Sequence, residues 1–154
     1  MKILATNKKA SFNYHILDEF TAGIQLFGTE VKSMRNAQVS LQEGYCFITK
    51  ELEVLCTGLY IKEYKQAFKN ANHDPYRVKK LLLNKHEIRK IYGKMTQKSE
   101  TTIIPLRLFI TSRGFIKMDI GLCVGKKKHD KRADLKEKDI QRQIKTGNKG
   151  GIFN

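Results

Sequence analysis

The chain has 154 residues, 40% of them hydrophobic, with 30 Lys and Arg against 15 Asp and Glu for a formal net charge of +15. That suffices for one domain of ordinary size plus an appendage and leaves too little for a second core. The charge excess makes a polyanion the expected partner, nucleic acid first; an anionic membrane would call for a basic amphipathic helix or a lipidation signal, and neither is evident.

The opening MKILATNKKA is too short and polar for a secretory signal, and no run of roughly 18 apolar residues follows, so the expected setting is cytosolic. Residues 1–11 read as a short basic arm carrying Asn7, Lys8 and Lys9. Phe12, Tyr14 and Ile16 alternate with Asn13 and His15, the period of a half-buried strand over residues 11–20. A turn at residues 21–23 then leads to a second strand through Ile24, Leu26 and Phe27, which Gly28 ends.

Thr29 is placed to cap a short helix through Asn36, with Glu30 where the helix dipole favours negative charge. Val31 and Met34 would face the core, and Lys32 and Arg35 would share another face. Residues 44–49 and 52–61 read as two further strands. The polar connection over residues 63–80 is long for a structureless loop, and its Lys65, Lys69, Arg77, Lys79 and Lys80 suggest RNA contact.

Asn84 and Glu87 form a capping-box pattern ahead of Ile88, Ile91, Tyr92 and Met95, a helical stripe that leaves Lys90 and Lys94 outward. Strands over residues 102–110 and 115–124 close the domain, and Pro105 argues for an edge position or a bulge in the first of them. Six short strands with one well-formed helix late in the order predict a mainly β fold, a small barrel of the oligonucleotide-binding kind with two or three short helices. An open α+β sheet is the alternative.

The domain boundary falls near Gly125, with a barrel over residues 1–124 and a basic tail over residues 125–154. That tail holds ten Lys and Arg against four Asp and Glu and has no aromatic residue before Phe153, a composition expected to order only on a polyanion. Ala133, Ile140 and Ile144 could share a narrow helical stripe, and Asp134 and Lys138 an i, i+4 pair.

Cys46, Cys56 and Cys123 lack metal-ligand spacing and read as reduced core thiols. His73 with Asp74 and His129 with Asp130 are adjacent in sequence, and chain neighbours tend to point apart, so a turn and a solvated charge run are the plainer readings than acid–base pairs. No phosphate-binding glycine loop precedes Lys126. The reading is a non-enzymatic RNA-binding protein without cofactor or metal, monomeric when free. A ribosomal or assembly protein bound to rRNA, and a nuclease or RNA-modifying enzyme using His73 or His129, are its rivals.

Four ordered segments carry a family likeness: Asn7-Lys8-Lys9-Ala10; residues 22–24 with Gly28-Thr29-Glu30-Val31-Lys32-Ser33 and Arg35; His73-Asp74-Pro75 with residues 77–83; and Gly125-Lys126-Lys127-Lys128-His129-Asp130-Lys131-Arg132. Over almost the whole chain the sequence resembles the small protein B family, the SsrA-binding proteins that partner transfer-messenger RNA in bacterial ribosome rescue. The resemblance implies an oligonucleotide-binding-type barrel without catalytic activity that holds the tRNA-like domain of that RNA and delivers it to stalled ribosomes for trans-translation. By position it carries RNA contact to Asn7, Lys8, Lys9, Glu30, Arg35, Arg77, Lys79, Lys80, Leu83 and Lys117. It carries entry into the decoding region and vacant mRNA path of the small subunit to Lys126, Lys128, His129, Asp130, Lys131 and Arg132. One segment departs from the family: beyond Ile144 the chain runs TGNKGGIFN, whose glycines are expected to end a basic helix early.

Overall fold

The apolar alternation of the chain resolves into nine strands and three helices in a computed structural model that describes residues 1–68, 71–127, 131–133, 135 and 136. In order these are β1 (Lys2–Thr6), α1 (Ala10–Asn13), β2 (Tyr14–Ile24), α2 (Gly28–Arg35), β3 (Val39–Ser40), β4 (Tyr45–Ile48), β5 (Val54–Thr57), β6 (Tyr60–Ile61), β7 (Lys79–Leu82), α3 (Lys85–Gln97), β8 (Thr101–Ile110) and β9 (Ile116–Gly125). The expectations for Lys69, for the helical stripe through Ile140 and Ile144 and for the glycine-rich end lie outside the described residues, as do Lys128, His129 and Asp130.

Strands β8, β4, β5, β7, β2 and β9 pair in that order, and the β8–β9 pairing closes them into a ring. Every pairing is antiparallel, so the closed barrel leaves its six strands no free edge. β1 adds to the later half of β8, and β3 pairs with β6 in a small ribbon. Closing so few strands requires sharp bends, which register shifts supply between Ile16 and Asp18 on β2 and between Pro105 and Arg107 on β8. Pro105 thus sits at a bulge.

The core fills the ring: Val54, Cys56, Leu59, Ile61, Leu108, Met118 and Ile120 are fully buried. α2 leaves the end of β2 and buries Met34, while α3 leaves β7 in the opposite direction and buries Ile91. The α3 start is as expected, with Asn84 Oδ1 accepting from Glu87 N at 2.8 Å and the Glu87 carboxylate accepting from Asn84 N at 3.2 Å.

Several boundaries differ from the sequence reading. The basic arm contains β1, held by pairing with β8 that a local pattern does not reveal. No turn occurs at residues 21–23, since β2 runs on through Gly23 between β9 and β7. Glycine at that point signals close packing, because a Cβ would stand 3.3 Å from Leu82 Cβ. The apolar run over residues 52–61 breaks at Gly58, whose φ of +73° turns the chain from β5 to β6.

The connection over residues 63–78 is pinned at several points. Asn72 bridges it, its amide donating to Tyr64 O at 2.9 Å and its oxygen accepting from Tyr64 N and His73 N, each at 3.1 Å. His73 is buried, with Nε2 3.0 Å from Ile61 O and Nδ1 2.9 Å from Thr29 Oγ1. A carbonyl only accepts, so Nε2 carries the proton.

Candidate nucleic-acid interface

α2 begins after Phe27, and the side chain that satisfies its first turn is Glu30 rather than Thr29, which is engaged with His73. Glu30 Oε1 accepts from Phe27 N at 2.7 Å and from Arg77 Nη2 at 2.6 Å, while Oε2 accepts from Arg77 Nε at 3.1 Å. Arg77 also donates to Val78 O and Gln25 O and lies over the Phe27 ring, 4.2 Å from its centroid. Lys79 points into the barrel, donates to Leu59 O at 3.2 Å and stands 4.0 Å from Glu30 Oε2. Burial pushes the Lys79 ammonium below its ordinary pKa, and the charge of Glu30 opposes that shift.

The side chains of Glu30 and Lys79 have no exposed surface, and most of the Arg77 donors are used inside the protein. Three of the expected RNA contacts therefore form one internal clamp that fastens residues 77–79 to the start of α2. The sequence signal missed here was charge complementarity across 47 positions.

The remaining expected residues divide between the two ends of the barrel. Arg35 is exposed at the end of α2, its guanidinium 3.8 Å from where a Gly114 Cβ would stand, and Lys117 opens β9 opposite Gly23. Arg113 and Phe115, both exposed, share that end in the β8–β9 turn and were not singled out by the sequence reading. Lys8 and Lys9 are exposed before α1 at the other end, about 30 Å away along β2 at roughly 3.3 Å per residue. Among the described residues, no ion pair engages Lys8, Lys9, Arg35 or Lys117.

Asn7 is buried, donating from its side chain to Pro105 O at 3.0 Å and from its backbone to Leu106 O at 2.8 Å. Its Oδ1 has no hydrogen-bond partner, and the residue lines a cleft of about 440 Å³ with Lys9, Tyr14 and Tyr45. Lys80 is partly exposed on β7 beside Glu53, and Leu83 is half-buried against the core. The chain leaves the barrel beside α1, where Lys126 N donates to Asn13 O and Lys126 Nζ to Ser11 O. Lys131 is partly exposed and Arg132 exposed, on backbone that is helical at residues 131–133.

The thiols are all free and buried. Cys46 faces Cys56 across β4–β5, and the hydrogen bond between them together with burial holds the Cys46 thiol protonated, while burial pushes Cys123 up to about 11. Asp74 Oδ1 accepts from Tyr76 N, which makes His73-Asp74 the turn that the sequence suggested.

Six antiparallel strands closed into a ring, with exposed cations at both ends, define a β-barrel of the oligonucleotide-binding class. The chain belongs to the SmpB protein family, whose model matches residues 4–149. It is 45% identical over 150 residues to the SsrA-binding protein of Thermosipho melanesiensis, covering 97% of this chain and all of that one. It is 46% identical over 143 residues to the SsrA-binding protein of Oceanobacillus iheyensis, covering 93% and 90% of the two chains. A solved structure described as "tmRNA-SmpB: a journey to the center of the bacterial ribosome" aligns with a TM-score of 0.65 and 41% identity over 80% of this chain and 84% of the other.

Proposed function

We propose that this protein binds the tRNA-like domain of transfer-messenger RNA and delivers it to stalled ribosomes in the bacterial cytoplasm, without catalysing a reaction. The observation that carries this reading is the near full-length likeness to SsrA-binding proteins, which includes the basic segment after Gly125. Folded RNA is recognised largely through shape, phosphates, 2′-hydroxyls and unstacked bases, and a rigid barrel with exposed cations suits that task.

Within this reading the site residues take different roles. Arg35, Lys8 and Lys9, which are exposed, and Lys117, which is partly exposed, contact RNA directly, because they lack acidic partners among the described residues. Glu30, Arg77 and Lys79 act as positioning residues that hold α2 and β7, and through them Arg35 and Lys80. Asn7 supports α1 and the backbone beside Lys8 and Lys9. The segment carrying Lys126, Lys128, His129, Asp130, Lys131 and Arg132 reads the vacant decoding centre, and its like charges favour an RNA-lined channel.

The test is the RNA that the purified protein retains and the residues that retain it. Arg35→Ala with Lys117→Ala is expected to weaken binding to the tRNA-like domain while the unfolding midpoint stays within about 0.5 kcal/mol of wild type. Unchanged affinity in that double variant would remove the direct-contact assignment.

A further inference from the structure

Two of the cysteine thiols face each other inside the barrel, and the RNA reading has no use for them. Cys46 stands opposite Cys56 across β4 and β5, Cys56 stands opposite Lys79 across β5 and β7, and all three are buried. Thr49 N donates to Glu53 O at 2.9 Å, which makes that facing pair a hydrogen-bonded one. Hydrogen-bonded and open pairs alternate along an antiparallel ladder, so in the same register Cys46 and Cys56 form an open pair. Open pairs hold their Cα atoms roughly 4.5 Å apart, within the span of about 4.4 to 6.8 Å that a disulfide bridges. The two thiols already hydrogen-bond to each other.

The two sulfurs differ in their surroundings. Lys79 lies close enough to Cys56 for their charges to interact, and its ammonium has no exposed surface. The Glu30 carboxylate 4.0 Å from that ammonium is engaged at 2.6 Å by Arg77. A thiolate formed at Cys56 therefore has a cation beside it, as nucleophilic cysteines do, whereas the hydrogen bond to Cys56 and burial keep the Cys46 thiol protonated. Access comes from the narrowest join of the ring. Among the described residues β4 meets β8 at one register position, Cys46 opposite Ile103, and meets β5 at four. Gly44, Tyr45, Thr102 and Ile104, which flank that junction, line the cleft of about 440 Å³. A local opening of β4 from β8 there admits a solute little larger than water to both sulfurs without unfolding the barrel.

We propose that Cys46 and Cys56 are a peroxide-sensitive modification site, with Cys56 the attacking thiol, Cys46 the resolving one and a cross-strand disulfide the product. Cys56 loses its proton and its sulfur attacks one oxygen of hydrogen peroxide. The O–O bond breaks, the other oxygen leaves with that proton as water, and Cys56 becomes a sulfenic acid. The Cys46 sulfur then displaces hydroxide from the Cys56 sulfur, and the hydroxide takes the Cys46 proton and leaves as a second water. Two thiols and one peroxide thus give one disulfide and two waters, and an added dithiol reverses the bond. The disulfide staples β4, which has a single bridge to β8 on its other side, to β5. This inference concerns the barrel itself and does not rest on the RNA reading.

The full-length protein is treated with hydrogen peroxide in native buffer, its remaining thiols are alkylated, and it is digested with trypsin without reductant. Lys50 lies between the two cysteines, so trypsin separates residues 36–50 from residues 51–62 and only a disulfide keeps these peptides joined; Cys123 falls in residues 118–126. The expected product is a monomer lighter by the two thiol hydrogens, with the first two peptides joined. Its thermal midpoint should rise by about 5 to 10 °C and return to the starting value with dithiothreitol. Cys123→Ala should form the same link. Cys46→Ala should stop at a Cys56 sulfenic acid that dimedone captures, while Cys56→Ala leaves Cys46 a thiol; capture at Cys46 instead overturns the role given to Cys56 and Lys79. Thiols that all survive peroxide, oxidation of single cysteines without the link, or a link that leaves the midpoint unchanged or lowered overturns the proposal. The wild-type protein alone separates these results, whether or not the variants fold.

Discussion

Replacing Glu30 by alanine separates a positioning role from a contacting one. The carboxylate is fully buried and accepts three hydrogen bonds, two from Arg77 and one from Phe27 N, with the Lys79 ammonium 4.0 Å away. Its removal leaves two cations facing each other, one of them with no access to water. Breaking a buried charge pair by deleting one partner costs about 3 to 5 kcal/mol. The Arg77 side chain keeps 27% exposure and can rehydrate in part, which places the expected loss near the lower end, about 3 kcal/mol. Against a total stability of roughly 5 to 15 kcal/mol this is a large fraction. With a urea dependence of roughly 1 to 3 kcal/mol per molar, it moves the unfolding midpoint down by about 1 to 3 M. The assay is urea unfolding followed by circular dichroism, together with RNA affinity measured where each variant is folded. Lys79→Met in the Glu30→Ala background should recover part of the loss, since it removes a stranded charge and fills the same volume. A Glu30→Ala protein with the wild-type midpoint and weakened RNA binding would refute the reasoning and return Glu30 to the surface as a direct contact.

Gly58→Ala should be among the most destabilising single-methyl changes, because the new Cβ would lie 2.1 Å from Glu43 O at a φ of +73°; a loss of about 3 kcal/mol or more in urea unfolding is expected. The hydrogen bond from Lys94 is the chief reason that the Asp18 carboxyl sits below its ordinary pKa. A lowered folded-state pKa contributes stability that is present above the unfolded value, about 3.9, and lost as pH falls through the folded value. Asp18→Asn should therefore flatten the acid limb of the stability profile below about pH 4 and leave the slope between pH 7 and 9 unchanged, as read by thermal unfolding across pH. Deleting the chain after Gly125 should preserve most affinity for the tRNA-like domain and abolish peptide tagging on stalled ribosomes; tagging by the truncated protein would contradict the role given to that segment.

Much of the barrel was readable because its strands follow local rules. Alternation marked β8 and β9, and the pair Asn84 and Glu87 marked the start of α3, since capping and pleating depend on near neighbours. What local pattern missed was decided by distant partners. β1 exists because β8 offers it a ladder, and Gly23 lies within a strand because β7 and β9 flank it. The same limit governs the site. Arg77, Lys79 and Glu30 each read as surface charges, and only the fold shows that they satisfy one another within it. Arg35 and Lys117, which the resemblance assigns to RNA contact, are exposed and partly exposed, as expected for charged residues without a nearby complement.

Under the proposed function, the folded barrel is what recognises transfer-messenger RNA. The most direct measurement is sequencing of the RNA that co-purifies with the full-length protein from bacterial cells, compared with the Arg35→Ala, Lys117→Ala double variant. Transfer-messenger RNA strongly enriched with the wild-type protein and depleted with the variant is the expected result. Ribosomal RNA alone, retained equally by both proteins, would contradict it.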